Sequence, residues 1–390
     1  MENKNYDVIM VGGGVMGCSV AYHLMKFDRN LKVAVVERDP TYEFSSTALS
    51  MGGVRVQFSL KENVLISLYG RQIFEHFEEE MAVEGEKPNI NYRRNGYLFL
   101  INSAGEKPAR DSLAMQKSLG AEVEWWSPDE MKKRFPLLDV LPWMVGATFG
   151  SRDGYLDAYA LLMAYRKKAR SMGAQFIEGD VTAIEKSGKK ITGVKLASGE
   201  SLKAKVVVNS SGAWAAQVAS TIGVKLPIDP VKRQVFFFKP AAPADETLPL
   251  IISPNNLYFR PETGGMLSGN SRDDDAVGFD FAYDRKRFEE MIWPGVAEII
   301  PAFDRVKLIR GYAGLYDVNR LDCNAMLGPW PELEGFYLIN GFSGHGLQQS
   351  PAAGRYLAEL ILQTPISLDL SIFSPKRLLE SRPLSEQGIV

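Results

Sequence analysis

The chain has 390 residues, with 45 lysines and arginines against 47 aspartates and glutamates, three histidines and two cysteines. That length exceeds one ordinary domain and predicts two domains around a shared cleft, while a formal net charge of −2 lacks the electrostatic footprint of a nucleic-acid binder. Two distant cysteines, Cys18 and Cys323, make no disulfide framework, and three scattered histidines give a metal cluster no ligands, so no metal is expected.

No cationic leader with an apolar core stands ahead of the first apolar strand, and no run approaches the roughly 20 apolar residues of a bilayer span. The expectation is a soluble, cytoplasmic protein without a transmembrane segment. Attachment to a membrane surface through a partner is left open.

The N-terminal "YDVIMVGGGVMGCSVAYHL" passes from an apolar strand through glycines into a helix. Gly12, Gly14 and Gly17, with Val15 and Met16 between the last two, satisfy G-x-G-x-x-G: a tight turn, a close backbone approach to pyrophosphate, and close helix–strand packing. The helix start directs free N–H groups and its positive dipole end at the phosphates. "LKVAVVERD" reads as the next parallel strand and ends in Glu37, 20 residues after Gly17, followed by Arg38. An acid there accepts hydrogen bonds from a ribose and disfavours a 2′-phosphate. Cys18 and His23, within the helix, read as structural.

A nicotinamide enzyme would continue with alternating strands and helices. Instead "SSTALSMGGVRVQFS" follows, Ser45 to Ser59. Its Ser46, Thr47, Met51, Gly52 and Gly53 offer hydroxyl and backbone donors to a second phosphate or an isoalloxazine edge. His76, on an amphipathic helix, reads as structural. "GYLFLI" and "VEWW" are aromatic and β-prone. "DAYALLMAYRKKARSMG" has an Asp157 cap, an apolar face and Gly173 as stop, which predicts a helix. "VTAIEKSGKKITGVKLASGESLKAKVVV", opening at Val181, predicts an antiparallel meander. Its last strand ends in "NSSGAWA", which puts Ser211, Gly212 and Trp214 beside a cofactor.

"RQVFFFKP" and "NLYFRP" resume the β-prone pattern. "RDDDAVGFDFAYD" reads as an acidic turn, solvated in preference to Ca²⁺-binding. Near the end, "NGFSGHGLQQSP" exposes bare backbone at Gly341, Gly344 and Gly346 and runs directly into a helix.

These segments together resemble the FAD-dependent D-amino-acid oxidase superfamily. The likeness is greatest to the branch of sarcosine and glycine oxidases, dimethylglycine dehydrogenase and bacterial proline dehydrogenase β-subunits, and greater still to mitochondrial FAD-dependent oxidoreductase domain proteins. "STALSMGGVRVQFSLKENVLISLYG", "GAWAAQVA", "YFRPETGG" and "GFSGHGLQQSP" carry it, over nearly the whole chain. The resemblance implies a mixed α/β and α+β fold: a Rossmann-like FAD-binding domain from residues 1–90, 150–225 and 325–390, interleaved with an antiparallel-sheet substrate domain from 91–149 and 226–324. It further implies that Gly341, Phe342, Ser343, Gly344, His345, Gly346, Leu347 and Gln348 fold back to the flavin, whose reduced anion would meet the helix N-terminus.

The implied activity is hydride transfer from a C–N bond of a small amine or amino acid to flavin N5. Arg55 suits a substrate carboxylate, but a flavin phosphate or structural acid suits it equally. Tyr258 is read as a carboxylate ligand or as a core aromatic, with Arg260 on the same face a weaker candidate. His345 holds the loop or shapes the substrate site. The lysine and arginine that bind substrate carboxylate in sarcosine-oxidase-like and glycine-oxidase-like members are replaced by Gln348 and Tyr316. Thr47, Ala48, Ala313 and Gly314 stand where covalently flavinylated relatives have a nucleophile, so noncovalent FAD is expected. Leu267 stands where some oxidases carry an oxygen-activating lysine, which favours a dehydrogenase over an oxidase. Two alternatives remain: a 2-hydroxy-acid dehydrogenase, and a flavoprotein that serves a respiratory complex or an electron-acceptor protein as assembly or electron-transfer partner.

Overall fold

Residues 5–387 are described here by a computed structural model. The Val- and Ile-rich segments form a sheet covered on both faces, as parallel strands require. Its spatial order is Met326–Pro329, Phe336–Asn340, Ser201–Asn209, Asn5–Val11, Val33–Glu37, Gln175–Glu178. All neighbours are parallel except the edge strand Met326–Pro329. Within Asn5–Val11, Val8 and Met10 enter one core while Ile9 and Val11 enter the other, the period-2 alternation of a strand.

The meander is present as Val181–Ser187 and Lys190–Leu196, which pair antiparallel with each other, and Lys190–Leu196 pairs antiparallel in turn with the start of Ser201–Asn209. The helix placed after Asp157 spans Ala158–Ser171. The Asp157 carboxylate accepts from the Ala160 N–H at 2.9 Å, and Gly173 follows with φ +111°. Helices Val15–Phe27 and Gly346–Leu362 cross so closely that a Cβ on Gly354 would lie 2.1 Å from Ser19 Oγ.

The aromatic runs form a second sheet, ordered Val306–Asn319, Ile228–Pro240, Gly265–Asn270, Leu257–Glu262, Leu250–Ile252, Tyr97–Asn102, Met144–Gly150, Val123–Trp126. One pair, Leu250–Ile252 with Tyr97–Asn102, is parallel; the others are antiparallel. Leu98, Phe236 and Phe259 pack on Phe288, Ile292 and Val296 behind this sheet. Tyr97, Ile252 and Tyr258 form a separate cluster with Met51.

The acidic turn 272–284 is solvent-exposed along most of its length, as read, but it is anchored: Asp275 is buried between Arg233 (2.6 Å) and Arg287, and Asp280 pairs with Lys232 at 2.6 Å. No group of acids, histidines or cysteines able to hold a metal ion exists among the described residues. The C-terminal tail also has a defined place. Glu386 accepts from the N–H groups of Ser59 (2.8 Å) and Leu60 (3.0 Å) and from Asn63 Nδ2 (3.0 Å). It thereby caps helix Lys61–Glu75, whose own N-cap residue supplies no side-chain acceptor. No helix among the described residues is long and apolar enough to cross a membrane.

Candidate functional site

A cavity of about 1010 Å³ lies at the carboxyl ends of the parallel strands, where ligands of open α/β sheets bind. It is at the top of the range of roughly 300–1,000 Å³ for small-molecule sites. Glu37 ends one strand and Gly346 follows another three strand positions away, a separation of about 14 Å at the spacing of neighbouring strands. Such a cleft suits an elongated ligand.

The glycine motif shows three separate reasons for three glycines. Gly12 has φ +100°, and a Cβ there would sit 2.7 Å from the Ser210 carbonyl oxygen. At Gly17 a Cβ would lie 2.1 Å from the Gly12 oxygen, so this residue brings the helix onto the strand rather than facing the cavity. Gly14 differs: its extended backbone tolerates any residue, and a Cβ would meet only Thr47 Oγ1, at 3.6 Å. No protein atom demands glycine there, and the freed space belongs to the cavity. A Cβ on Gly212 would likewise meet no protein atom, although its φ of +51° itself favours glycine. These two cradles, with the helix starting at Val15 whose N-cap glycine supplies no side-chain acceptor, fit a dinucleotide pyrophosphate.

Around them the cavity wall includes Val15, Met16, Glu37, Arg38, Ser46, Thr47, Val181 and Ser211. Thr47 Oγ1 accepts from the Val15 N–H at 3.2 Å, and Ser46 Oγ donates to the Leu315 carbonyl at 2.6 Å, which ties the hydroxylic loop to both sheets. Glu37 is oriented by the N–H groups of Gly13 (2.7 Å) and Asp39 (3.0 Å). Arg38 stacks on Trp214, its Cζ 3.8 Å from the ring centroid.

Gly344, Gly346 and Leu347 also line the cavity. Helix Gly346–Leu362 begins there with no side-chain cap and no acid in its first turn, so its N–H groups and dipole face the site uncompensated. The loop before it is held by a residue the sequence did not disclose. Asp317 Oδ2 accepts from the N–H groups of Gly341 (2.7 Å) and Phe342 (3.2 Å), and Ser343 Oγ accepts from the Asn319 N–H at 3.0 Å. Burial raises the Asp317 carboxyl to about 6, against the opposing pull of these N–H donors. Only the pairing of Val306–Asn319 beside the loop places Asp317 there. No motif marks it.

The residues assigned to chemistry fall behind this cavity rather than on its wall. Arg55 is buried; its guanidinium donates to the Gln57 carbonyl and lies between the rings of Phe58 (3.9 Å) and Phe99 (5.3 Å). Burial lowers its pKa, while the nearby Glu386 opposes that shift. The Gln348 Oε1 accepts from the Arg55 backbone N–H at 2.6 Å. His345 packs edge-on against Phe58 at 5.1 Å, and burial, reinforced by Arg55, lowers its pKa to about 3, so it is neutral at pH 7. Arg55, His345 and Gln348 are thus one unit, joined through Phe58 and the Arg55 backbone N–H.

Tyr258 stands apart from that unit, in the cluster with Tyr97 and Met51, and burial raises its pKa well above the phenol range. Arg260 has structural partners: its Nε donates to the Met51 carbonyl at 2.9 Å and its Nη1 to Glu262 at 2.8 Å. Gly52 and Gly53 are close-approach positions, against the Leu156 oxygen and the Tyr97 hydroxyl respectively. Sequence reading also passed over Tyr42, a buried cavity residue whose hydroxyl lacks a protein partner, and Asp153, a buried acid that receives Val56 N–H and Gln57 Nε2, both at 3.3 Å.

Residues 7–360 match the family model described as DAO, FAD dependent oxidoreductase. The chain is 36% identical to the "FAD-dependent oxidoreductase domain-containing protein 1" of Xenopus laevis, over 98% of this chain and 85% of that protein. It is 26% identical to the sarcosine oxidase subunit beta of an Arthrobacter species, over 99% and 94% of the two chains. The L-proline dehydrogenase of P. horikoshii superimposes with a TM-score of 0.88 at 27% identity, covering 98% of this chain and all of that one.

Proposed function

The chain belongs to the DAO family of FAD-dependent oxidoreductases, and on that premise we propose that it oxidises a carbon–nitrogen bond of a small amine or amino acid. FAD, held noncovalently, supplies the hydride acceptor at N5. The observation that carries this reading is the cavity itself: glycine cradles and a bare helix start on one side, the Gly341–Gly346 loop and a second bare helix start on the other.

Each element has a task under this reading. Gly12, Gly14, Ser211 and Gly212 admit the pyrophosphate, and Glu37 receives the ribose hydroxyls. The N–H groups at Gly346, Leu347 and Gln348 stabilise negative charge that develops at the ring edge. The tyrosine-rich sheet face carrying Tyr97 and Tyr258 excludes water from the substrate side. The wall holds neither cysteine nor histidine among the described residues, in keeping with a cofactor that is not covalently attached. Its one cation among them is Arg38, engaged with Trp214, and Leu267 is buried in its strand. Lack of an ammonium beside the ring supports a dehydrogenase over an oxidase. Two unpaired cysteines suit a reducing, cytoplasmic setting.

Purified protein that is yellow, or takes up FAD when it is added, is the first test. Anaerobic bleaching of the flavin by members of an amine, amino-acid and 2-hydroxy-acid panel is the second. Failure of every amine and amino acid, with bleaching by a hydroxy acid, would move the assignment to a 2-hydroxy-acid dehydrogenase on the same scaffold. One observation favours a different class: the Gln348 side chain is engaged by the Arg55 backbone N–H, and the Arg55 guanidinium by the Gln57 carbonyl. A flavoprotein acting as assembly or electron-transfer partner of a respiratory complex needs no substrate clamp. Co-purification with such a complex that survives loss of flavin reduction would establish it.

A further inference from the structure

Segment 272–284 leaves large apolar side chains in solvent between its acids: Val277 is 55% exposed, Phe279 41% and Tyr283 43%. Single exposed apolar residues need no explanation, but these belong to an ordered arrangement. Phe279 stacks on Trp214 with ring centroids 5.1 Å apart and planes 23° from parallel. Phe281 meets Phe44 at 4.7 Å, and Phe44 is itself 44% exposed. Trp214 and Phe44 both line the large cavity, and Arg38 also lies over the Trp214 ring, its Cζ 3.8 Å from the centroid.

Most roots of the segment are on one strand of the second sheet, Ile228–Pro240, with Asp275 also paired to Arg287 outside it. Gly278 N–H donates to the Pro230 carbonyl (2.8 Å), Lys232 N–H to the Ala276 carbonyl (2.9 Å), Lys232 Nζ to Asp280 (2.6 Å) and Asp284 N–H to Gln234 Oε1 (2.6 Å). Three ring contacts, the third being Phe281 with Trp214 at 6.4 Å, then reach across to residues that follow strands of the parallel sheet. Offset and tilted aromatic pairs are attractive beyond the area they bury, yet break without leaving an unsatisfied polar group. A contact of that kind holds a closed state firmly and still opens.

We propose that Phe279 and Phe281 form an aromatic clasp that closes over Trp214 and Phe44 and retains FAD. The proposal rests on the FAD-binding reading above, and it gives a noncovalent cofactor a mechanical barrier to escape. Asp280, between the two rings, tethers the strap to Lys232 while the rings do the closing.

The experiment is FAD release from the holoprotein, followed as recovery of free-FAD fluorescence with an excess of a scavenging apoflavoprotein. The double variant Phe279→Ala/Phe281→Ala is expected to release FAD at least tenfold faster, while the apoprotein unfolds at a temperature unchanged from wild type. Phe279→Tyr/Phe281→Tyr, which keeps both rings, is expected to restore slow release. Should the double alanine variant misfold, Phe281→Ala alone is read in the same assay and is expected to accelerate release severalfold. Release within twofold of wild type from a folded alanine variant overturns the clasp, as does an apoprotein destabilised as much as the holoprotein. A wild-type protein that takes up no FAD would instead remove the underlying cofactor reading.

Discussion

Gly14→Ala and Gly17→Ala change the same motif by the same methyl group, and the structure separates their consequences. At Gly17 the new Cβ would lie 2.1 Å from the Gly12 oxygen and 2.9 Å from Ser210 Oγ. Normal van der Waals contact needs more than 1 Å of additional separation, and the first obstacle is backbone that cannot rotate away. Helix Val15–Phe27 must therefore lift off its strand, an overpacking penalty of roughly 1–3 kcal/mol or more. For a chain of this length, about 3 kcal/mol lowers the unfolding temperature by roughly 4 °C. At Gly14 the backbone is extended and the Cβ meets one hydroxyl at 3.6 Å. The apoprotein should unfold within about 0.5 kcal/mol of wild type, the usual range for a substitution without a clash. The methyl instead enters the space assigned to pyrophosphate. Loss of one close backbone contact there should weaken FAD binding tenfold or more, about 1.4 kcal/mol. Thermal unfolding of the apoproteins and titration with FAD give the two readouts. If Gly14→Ala destabilised the apoprotein as Gly17→Ala does, or bound FAD like wild type, the assignment of Gly14 to the ligand would be refuted.

Other outcomes follow from the same geometry. Asp317→Ala removes the acceptor for two loop N–H groups and should weaken FAD binding at least tenfold in a fluorescence titration, with Gly341–Gly346 as the segment that gains hydrogen exchange. Asp153, fully buried, has its carboxyl raised to about 6 from an ordinary 3.8, chiefly by burial. A raised acid contributes stability that is complete below the unfolded value and is lost as pH rises through the folded one. Wild type should therefore gain on Asp153→Asn, by on the order of 3 kcal/mol, as denaturation is repeated from pH 6.5 down to pH 3.5; a pH-independent difference would contradict this. Glu386→Ala uncaps helix Lys61–Glu75 and should cost about 1–2 kcal/mol in chemical denaturation, together with a change in KM if Arg55 depends on it electrostatically. His345, depressed to about 3, loses stability for the fold as pH falls from 6.5 toward 3, so His345→Gln should soften acid unfolding over that interval.

The dinucleotide cleft was legible in the chain because its signals are local. Strand, glycines, helix, strand and acid follow one another within the first forty residues, and each imposes a backbone geometry that few other residues satisfy. The bare glycines before Leu347 were legible for the same reason, and so were the helix after Asp157 and the meander. What the sequence could not rank was any group whose role depends on a neighbour far along the chain. Arg55 looked equally suited to a substrate carboxylate and to a structural partner. Folding brings Gln348 to its backbone, Phe99 to its face and Glu386 into its field, from segments up to 331 positions away.

Asp317 shows the converse. In the chain it is an ordinary acid after Tyr316; beside the loop it becomes the acceptor that shapes a cofactor-facing turn. The acidic stretch 272–284 read as solvated and is mostly exposed, but only the tertiary structure pairs its Asp275 with Arg233 and Arg287 and its Asp280 with Lys232. Backbone conformation and strand period are written residue by residue, and the sequence alone determined them. Which buried charge meets which partner is decided by long-range packing, because desolvation and Coulomb energies depend on distances that exist only once the sheets have closed.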